Sequence, residues 1–242
     1  MRKYIFESTA IFVGILLSFT VDRYNDERIE KENITQSVLT LVNEIESNIE
    51  YCEEHLKQLK NMVIVNKLIT SDYNYLRKDS LINLHQKYPY GHSYDINGNI
   101  LYWNEESNYN NIYQWMITWW NTFSPEEIYF KSLINSGKLV LIDNSKVRKE
   151  IESVYTTRKE RNFVNLKLLK QNSDKIFMWI DNKRNNQLDI TSREFIFTNL
   201  IDLELKNLLN DRNYFLTLRV MSISKYIESL NNLKSVINLE YN

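Results

Sequence analysis

Two groups of residues in this sequence have the types and spacing to do chemistry, and in both the chemistry is binding, not bond-making. Glu7, Ala10, Gly14, Ser18 and Asp22 follow one another at intervals of three or four residues, which puts them on one face of a helix. Small residues at that spacing let helix backbones approach closely in lipid. An ionisable residue such as Glu7 is then directed to a bundle interior or a watery cavity, because lipid exposure of a charge is costly. This face is read as a pore lining or an oligomerisation seam. The plainer alternative is a single anchor whose Glu7 snorkels to the interface.

The second group is aromatic and basic. Trp115 and Trp119 share a helix face, and Arg158, Lys159 and Arg161 form the densest cationic cluster of the chain. Such rings stack on nucleobases for about 1–3 kcal/mol per base, and such cations meet phosphates. Together they are the candidate ligand-binding residues. The competing reading makes the rings core anchors and the cations a solvated helix face.

Bond-making chemistry finds little support. There is no nucleophile with an adjacent base, no phosphate-binding glycine loop and no pair of carboxylates in a catalytic context. His55, His85 and His92 lack metal-ligand spacing, and the single cysteine, Cys52, excludes an internal disulfide framework and a thiolate zinc cluster. The sequence therefore reads as a non-enzyme with no cofactor and no metal.

The elements that must position these groups begin with the apolar run Ile5 to Val21, set between Arg2-Lys3 and Asp22-Arg23. From Ala10 to Val21 it is apolar around its whole circumference, the mark of a buried or lipid-embedded helix. The uncharged part, Ser8 to Val21, rises only about 21 Å against a hydrocarbon thickness of about 30 Å. Counting from Tyr4 to Tyr24 the length suffices, with tyrosines and cations where interfacial groups belong. A membrane-spanning helix over residues 1–24 is predicted. A cleaved secretory signal is disfavoured because helix-forming sequence runs straight on through Lys31.

Residues 25–242 are predicted to form a helical soluble domain. With four Gly and two Pro in 242 residues, the chain is too poor in breakers for a sheet-rich fold. The fold class is thus mainly all-α: a transmembrane helix continuous with a long amphipathic helix, and a helical bundle carrying a small β-hairpin. The amphipathic helix runs from about Tyr24 to Thr70, with Ile34, Val38, Leu41, Ile45, Cys52, Leu59, Met62 and Ile69 on a three-four spacing. Asn48, His55 and Asn66 interrupt that seam. An aromatic-rich insertion occupies about residues 71–123, where Asn97-Gly98 between apolar residues signals a hairpin.

Beyond it, Ser124-Pro125-Glu126-Glu127 has the order of a helix N-terminus, with Ser124 as cap. That helix should stop at Gly137, followed by an extended link Lys138 to Ile142 and a helix capped by Asn144 or Ser145 with Val147, Ile151, Val154 and Tyr155 inward. Two last helices are expected, Thr191 to Leu209 and Arg212 to Leu239, parted near Asn210-Asp211. The formal net charge is −1, yet Lys131 to Arg184 holds 13 basic against 6 acidic residues. That block could hold an anionic ligand or simply be solvated.

Lys3-Tyr-Ile-Phe6, Val13-Gly-Ile-Leu16 and Asn25-Asp-Glu-Arg28, with Ser132 to Asn144 and the helix Arg148 to Tyr155, resemble a family of uncharacterised bacterial membrane-anchored proteins. In that family an N-terminal membrane helix precedes a helical domain. Asp22-Arg23-Tyr24 departs from the neutral Asn and Trp boundary usual there. The architecture is also similar to membrane effector subunits of Hailong-type antiphage systems, in which a channel protein is paired with a nucleotidyltransferase. That likeness implies a soluble lobe that senses an oligonucleotide signal and helices that conduct ions once gated.

The expectation is thus a homo-oligomer, for instance a tetramer, in the bacterial inner membrane, with membrane lipid as a partner and the soluble domain in the cytoplasm. Its soluble helices would gate an ion channel in response to a nucleotide or an oligonucleotide from a partner nucleotidyltransferase. The alternative is a membrane-anchored scaffold or sensor that recruits a protein partner without conducting ions.

Overall fold

A computed structural model describes residues 2–94, 100–102, 112–186 and 202–241, with side chains described from Ile11 onward outside the two short strands and residues 113–114. Three long helices dominate. Helix α1 runs unbroken from Arg2 to Ser71, α6 from Lys159 to Asn186, and α7 from Leu203 to Tyr241. The all-α expectation holds at this level.

The pairing of the long helices follows from their seams. On α1, Ile34, Val38, Leu41, Ile45, Asn48, Cys52, His55, Leu59, Met62, Asn66 and Ile69 are all buried, a strict alternation of three and four residues. Helix α7 carries the same rhythm from Leu205 through Leu209, Arg212, Leu216, Arg219, Ile223, Tyr226, Leu230 and Leu233 to Ile237. Two such stripes pack as in a coiled coil. Thr70 meets Asn213, Asn66 meets Leu209, His55 meets Arg219 and Glu46 meets Lys234, so α1 and α7 are antiparallel. Helix α6 lies antiparallel on α7, with Lys183 at Asp202, Asn172 at Leu208 and Asn162 at Arg219.

The polar seam residues of α1 hold their own chain together. Asn48 donates to the carbonyl of Glu126 at 2.9 Å and accepts from its N–H at 2.7 Å, and Asn66 donates to the Leu209 carbonyl at 2.8 Å. Asn48 thereby satisfies both main-chain groups of Glu126, which lies outside any helix or strand, and Asn66 ties α1 to a carbonyl of α7.

The insertion contains a short 3₁₀ turn, Tyr73–Leu76, then α2, Lys78–Lys87. Strands β1, His92–Tyr94, and β2, Ile100–Tyr102, pair antiparallel with Ser93 opposite Leu101. The Asn97-Gly98 turn expected between them lies outside the described residues. Helix α3, Ile112–Thr118, returns the chain to the bundle.

Three local expectations are corrected. Helix α4 spans Ile128–Asn135 and is preceded by Glu127, not capped by Ser124. Its first N–H groups are taken by a side chain from another helix: Glu44 of α1, itself buried, accepts from Tyr129 N at 2.6 Å and from Phe130 N at 3.4 Å. Ser124 and Glu126 are meanwhile held by Tyr51 and Asn48, which keeps residues 124–127 out of helical geometry.

Lys138 to Leu141 form a 3₁₀ turn instead of an extended link. Among the described residues no strand lies beside it, and the segment closes on itself, Ile142 N donating to Leu139 O and Arg148 taking the Val140 carbonyl. Asn144 caps α5, Ser145–Ser153, accepting from Lys146 and Val147. Helix α5 passes through a wide π turn, Val154–Arg158, directly into α6.

Helix α7 does not break at Asn210-Asp211. Both residues sit on its exposed face, where their poor helix propensity costs only about 0.7 kcal/mol each at most, while the buried stripe continues beneath them. The actual cap is Asp202, whose Oδ1 accepts from Glu204 and Leu205.

Among the described residues no helix is long and apolar enough to cross a membrane, so the predicted span over 1–24 is not shown. The described apolar stretch, Ile11 to Val21, rises about 16 Å, and the part that would complete a span lies among side chains outside the description. What is described is unusual enough. Every residue from Ile11 to Asn33 is exposed, and packing against the bundle starts only at Ile34.

Candidate functional site

The predicted ligand residues do not converge. Trp115 belongs to the core at 9% exposure. One face of its ring is stacked on Tyr90, with centroids 5.3 Å apart and planes 9° apart, and His85 stands edge-on to it at 5.0 Å. Gly91 comes so close that a Cβ there would lie 2.1 Å from the indole, in a backbone with φ of +70°. The Tyr90 hydroxyl donates to the Met116 carbonyl at 2.9 Å. A face already occupied by tyrosine is not open for a base, so Trp115 is an intramolecular anchor. Trp119 is half-buried, 5.8 Å from Trp115, and offers its carbonyl to Arg212. Burial holds His85 below the usual imidazole range and raises the Tyr90 hydroxyl.

The cationic trio separates as well. Lys159 turns to Glu127, where the two make a close ion pair. Burial works to raise the Glu127 carboxyl, but Lys159 and Lys131 outweigh it and hold it below its ordinary value. Arg158 makes a two-pronged contact with Glu150 at 2.5 and 3.3 Å. Arg161 makes no ion pair among the described residues.

Arg158 and Arg161 do share a feature that sequence reasoning did not identify. Both line a groove of about 520 Å³ between α6 and α7, and Lys225 and Glu228 border it from α7. Leu218 and Met221 supply an apolar strip. At the floor lies Asn162, 1% exposed, whose Nδ2 donates to the Arg158 carbonyl at 3.1 Å while its Oδ1 has no partner. The signal available in sequence was the basic block itself. What was not visible is which residues of α7 would face it across the helix pair.

Behind the floor stands Arg219, fully buried on α7. Its Nη1 donates to the Asn162 carbonyl at 3.0 Å, its Nη2 meets His55 Nε2 of α1 at 2.9 Å, and its guanidinium lies 5.6 Å from the Phe123 ring. A second buried arginine, Arg212, donates to Ser173 Oγ at 2.9 Å and to the Trp119 carbonyl. Burial lowers both guanidinium pKa values to about 10. Arg219 thus joins groove floor, α7 and α1 in one polar link.

The small-residue face of α1 can be placed only in part. Ser18 and Asp22 are exposed, and nothing lies within 4 Å of a Cβ built on Gly14. Glu7 and Ala10 lie outside the described side chains. Thr20 folds its hydroxyl back onto the Leu16 carbonyl at 2.8 Å, and the polar part beyond is laced by Arg23 with Glu27 and Arg28 with Glu32. Among the described residues no cluster of His, Cys, Asp and Glu is placed to hold a metal ion. Compared with family models, curated proteins and solved structures, the chain matches none of them.

Proposed function

We propose that this chain is a homo-oligomeric membrane effector of bacterial antiphage defence, in which the helical body senses an anionic signal, a nucleotide or an oligonucleotide, and α1 carries the response to its N-terminal segment. The observation that carries this reading is the exposed apolar end of α1. Ile11, Phe12, Val13, Ile15, Leu16, Leu17, Phe19 and Val21 are all exposed on a helix whose other half forms the core of the bundle. An uncovered apolar surface of this extent marks an interaction or membrane site, and a helix without packing is marginal in water. A bilayer, with other copies meeting along Gly14 and Ser18, would remove both costs. Because α1 is unbroken, a shift at His55 would be transmitted along a single rigid element.

The test uses full-length protein in phosphatidylethanolamine and phosphatidylglycerol liposomes. It should float with the vesicles and conduct ions, with or without added short oligonucleotides, and Gly14→Leu should suppress conductance. Protein that remains in the aqueous fraction, or liposomes silent under every condition, would sink the proposal.

One observation favours a second reading, a membrane-anchored scaffold. Ile128, Tyr129, Ile134, Val140 and Leu141 are all exposed around α4 and the turn that follows it, an apolar patch fitting a protein partner. If the chain functions after residues 1–24 are exchanged for an unrelated anchor, the scaffold reading prevails.

A further inference from the structure

We infer that the groove between α6 and α7 is a binding site for a soluble phosphate ester that also carries an N–H or O–H donor. Three features at one place lead there. Arg161 and Lys225 line the groove from opposite helices without an ion pair among the described residues, against one bordering carboxylate, Glu228. A guanidinium and an ammonium without ion pairs on the two walls of one concave site are donors suited to a phosphate.

Asn162 Oδ1 is an acceptor at the floor, buried and unpartnered. A buried acceptor left unmade is costly, and a donor group on a ligand seated against it would satisfy it. Leu218 and Met221 offer apolar contact to a base or a sugar face. The volume of about 520 Å³ suits a small ligand.

Position argues against a lipid as the source of the phosphate. Lys234 of α7 stands beside Glu46 of α1 and Arg219 beside His55, so the groove lies level with the middle of α1. From residue 50 to Val21 that helix rises roughly 40 Å, beyond the reach of a headgroup at the apolar end. Ligand bound here would press on Asn162, whose carbonyl is held by Arg219, and so on His55 of α1.

This inference rests on reading the groove as the sensory face of the effector, and the two fail separately. Binding is measured by calorimetry on the full chain in detergent, with AMP and glucose 6-phosphate as esters and adenosine, glucose and inorganic phosphate as controls. At least one ester should bind more tightly than its phosphate-free counterpart and than inorganic phosphate. Arg161→Ala and Lys225→Ala, both at the groove surface, should each weaken it about tenfold, as for loss of one charge-assisted hydrogen bond, with the helical circular dichroism unchanged. The inference is overturned if neither ester binds or if binding survives both substitutions. Ester binding in a protein that never conducts would refute the effector reading and leave the site standing.

Discussion

His55 of α1 and Arg219 of α7 meet at 2.9 Å inside the bundle, and since an arginine only donates, the imidazole Nε2 must be the acceptor and the ring neutral. The same guanidinium holds the Asn162 carbonyl. Arg219→Met removes the donor from both and should cost about 2–4 kcal/mol, offset in part because a buried charge is removed with it. His55→Phe alone leaves an Arg219 donor unmet. A double-mutant cycle in urea should return a coupling on the order of 1.5–3 kcal/mol. A coupling near zero would show that the contact does not link α1 to α7.

Gly91 and Gly137 form a matched pair with φ of +70° and +71°. At Gly91 a Cβ meets Trp115, whereas at Gly137 nothing lies within 4 Å. Gly137→Ala should cost about 1–2 kcal/mol, the left-handed backbone penalty alone. Gly91→Ala adds a clash in a packed core, typically about 1–3 kcal/mol more. Equal losses in chemical denaturation would contradict the packing of Trp115 against the turn.

Glu44 serves as a cap for α4 from another helix. Glu44→Gln keeps the shape but halves the acceptor capacity, and Glu44→Ala leaves the Tyr129 and Phe130 N–H groups unpaired. Losses of about 1 kcal/mol and about 2 kcal/mol are expected. Amide exchange gives the local readout: Tyr129 and Phe130 should exchange faster while the α7 core is unchanged.

Cys52 provides a pH signature. Burial pushes its thiol from 9.0 up to about 12, so the folded protein keeps the proton where the unfolded chain gives it up. The stability tied to the neutral thiol is fully present below pH 9 and is lost as pH rises towards 12, by a few kcal/mol. Denaturant midpoints should fall just above pH 9, before tyrosine ionisation adds to the effect and before Arg212 and Arg219, both lowered to about 10, release protons in the folded state and oppose it. Cys52→Ala should flatten the fall while lowering stability at neutral pH by the cavity it leaves. An unaltered pH profile in that variant would place the titrating group elsewhere.

Much of the bundle is legible in sequence because it rests on local, periodic information. The α1 seam from Ile34 to Ile69 needs only the 3.6-residue turn and the burial of apolar side chains, as does the inward set Val147, Ile151, Val154 and Tyr155, while the choice between Asn144 and Ser145 as cap fell to Asn144. The same reasoning fails where the partner comes from far along the chain. Ser124 has the residue type and spacing of a cap, yet Tyr51 and Asn48 hold that segment in another geometry and Glu44 supplies the cap. Asn210-Asp211 looks like a break, yet the buried stripe of α7 against α1 outweighs two weak propensities.

The candidate site divides along the same line. The amino-acid sequence by itself determined that an apolar run lies near the start of a long helix and that cations crowd the segment leading into α6, because residue type and helical period carry both. Only the tertiary structure decided which of those groups act together. It buried Trp115 against Tyr90 and paired Lys159 with Glu127 and Arg158 with Glu150. It then left Arg161 opposite Lys225 over an unpartnered Asn162, since the antiparallel register of α6 and α7 is set by core packing that no local pattern encodes.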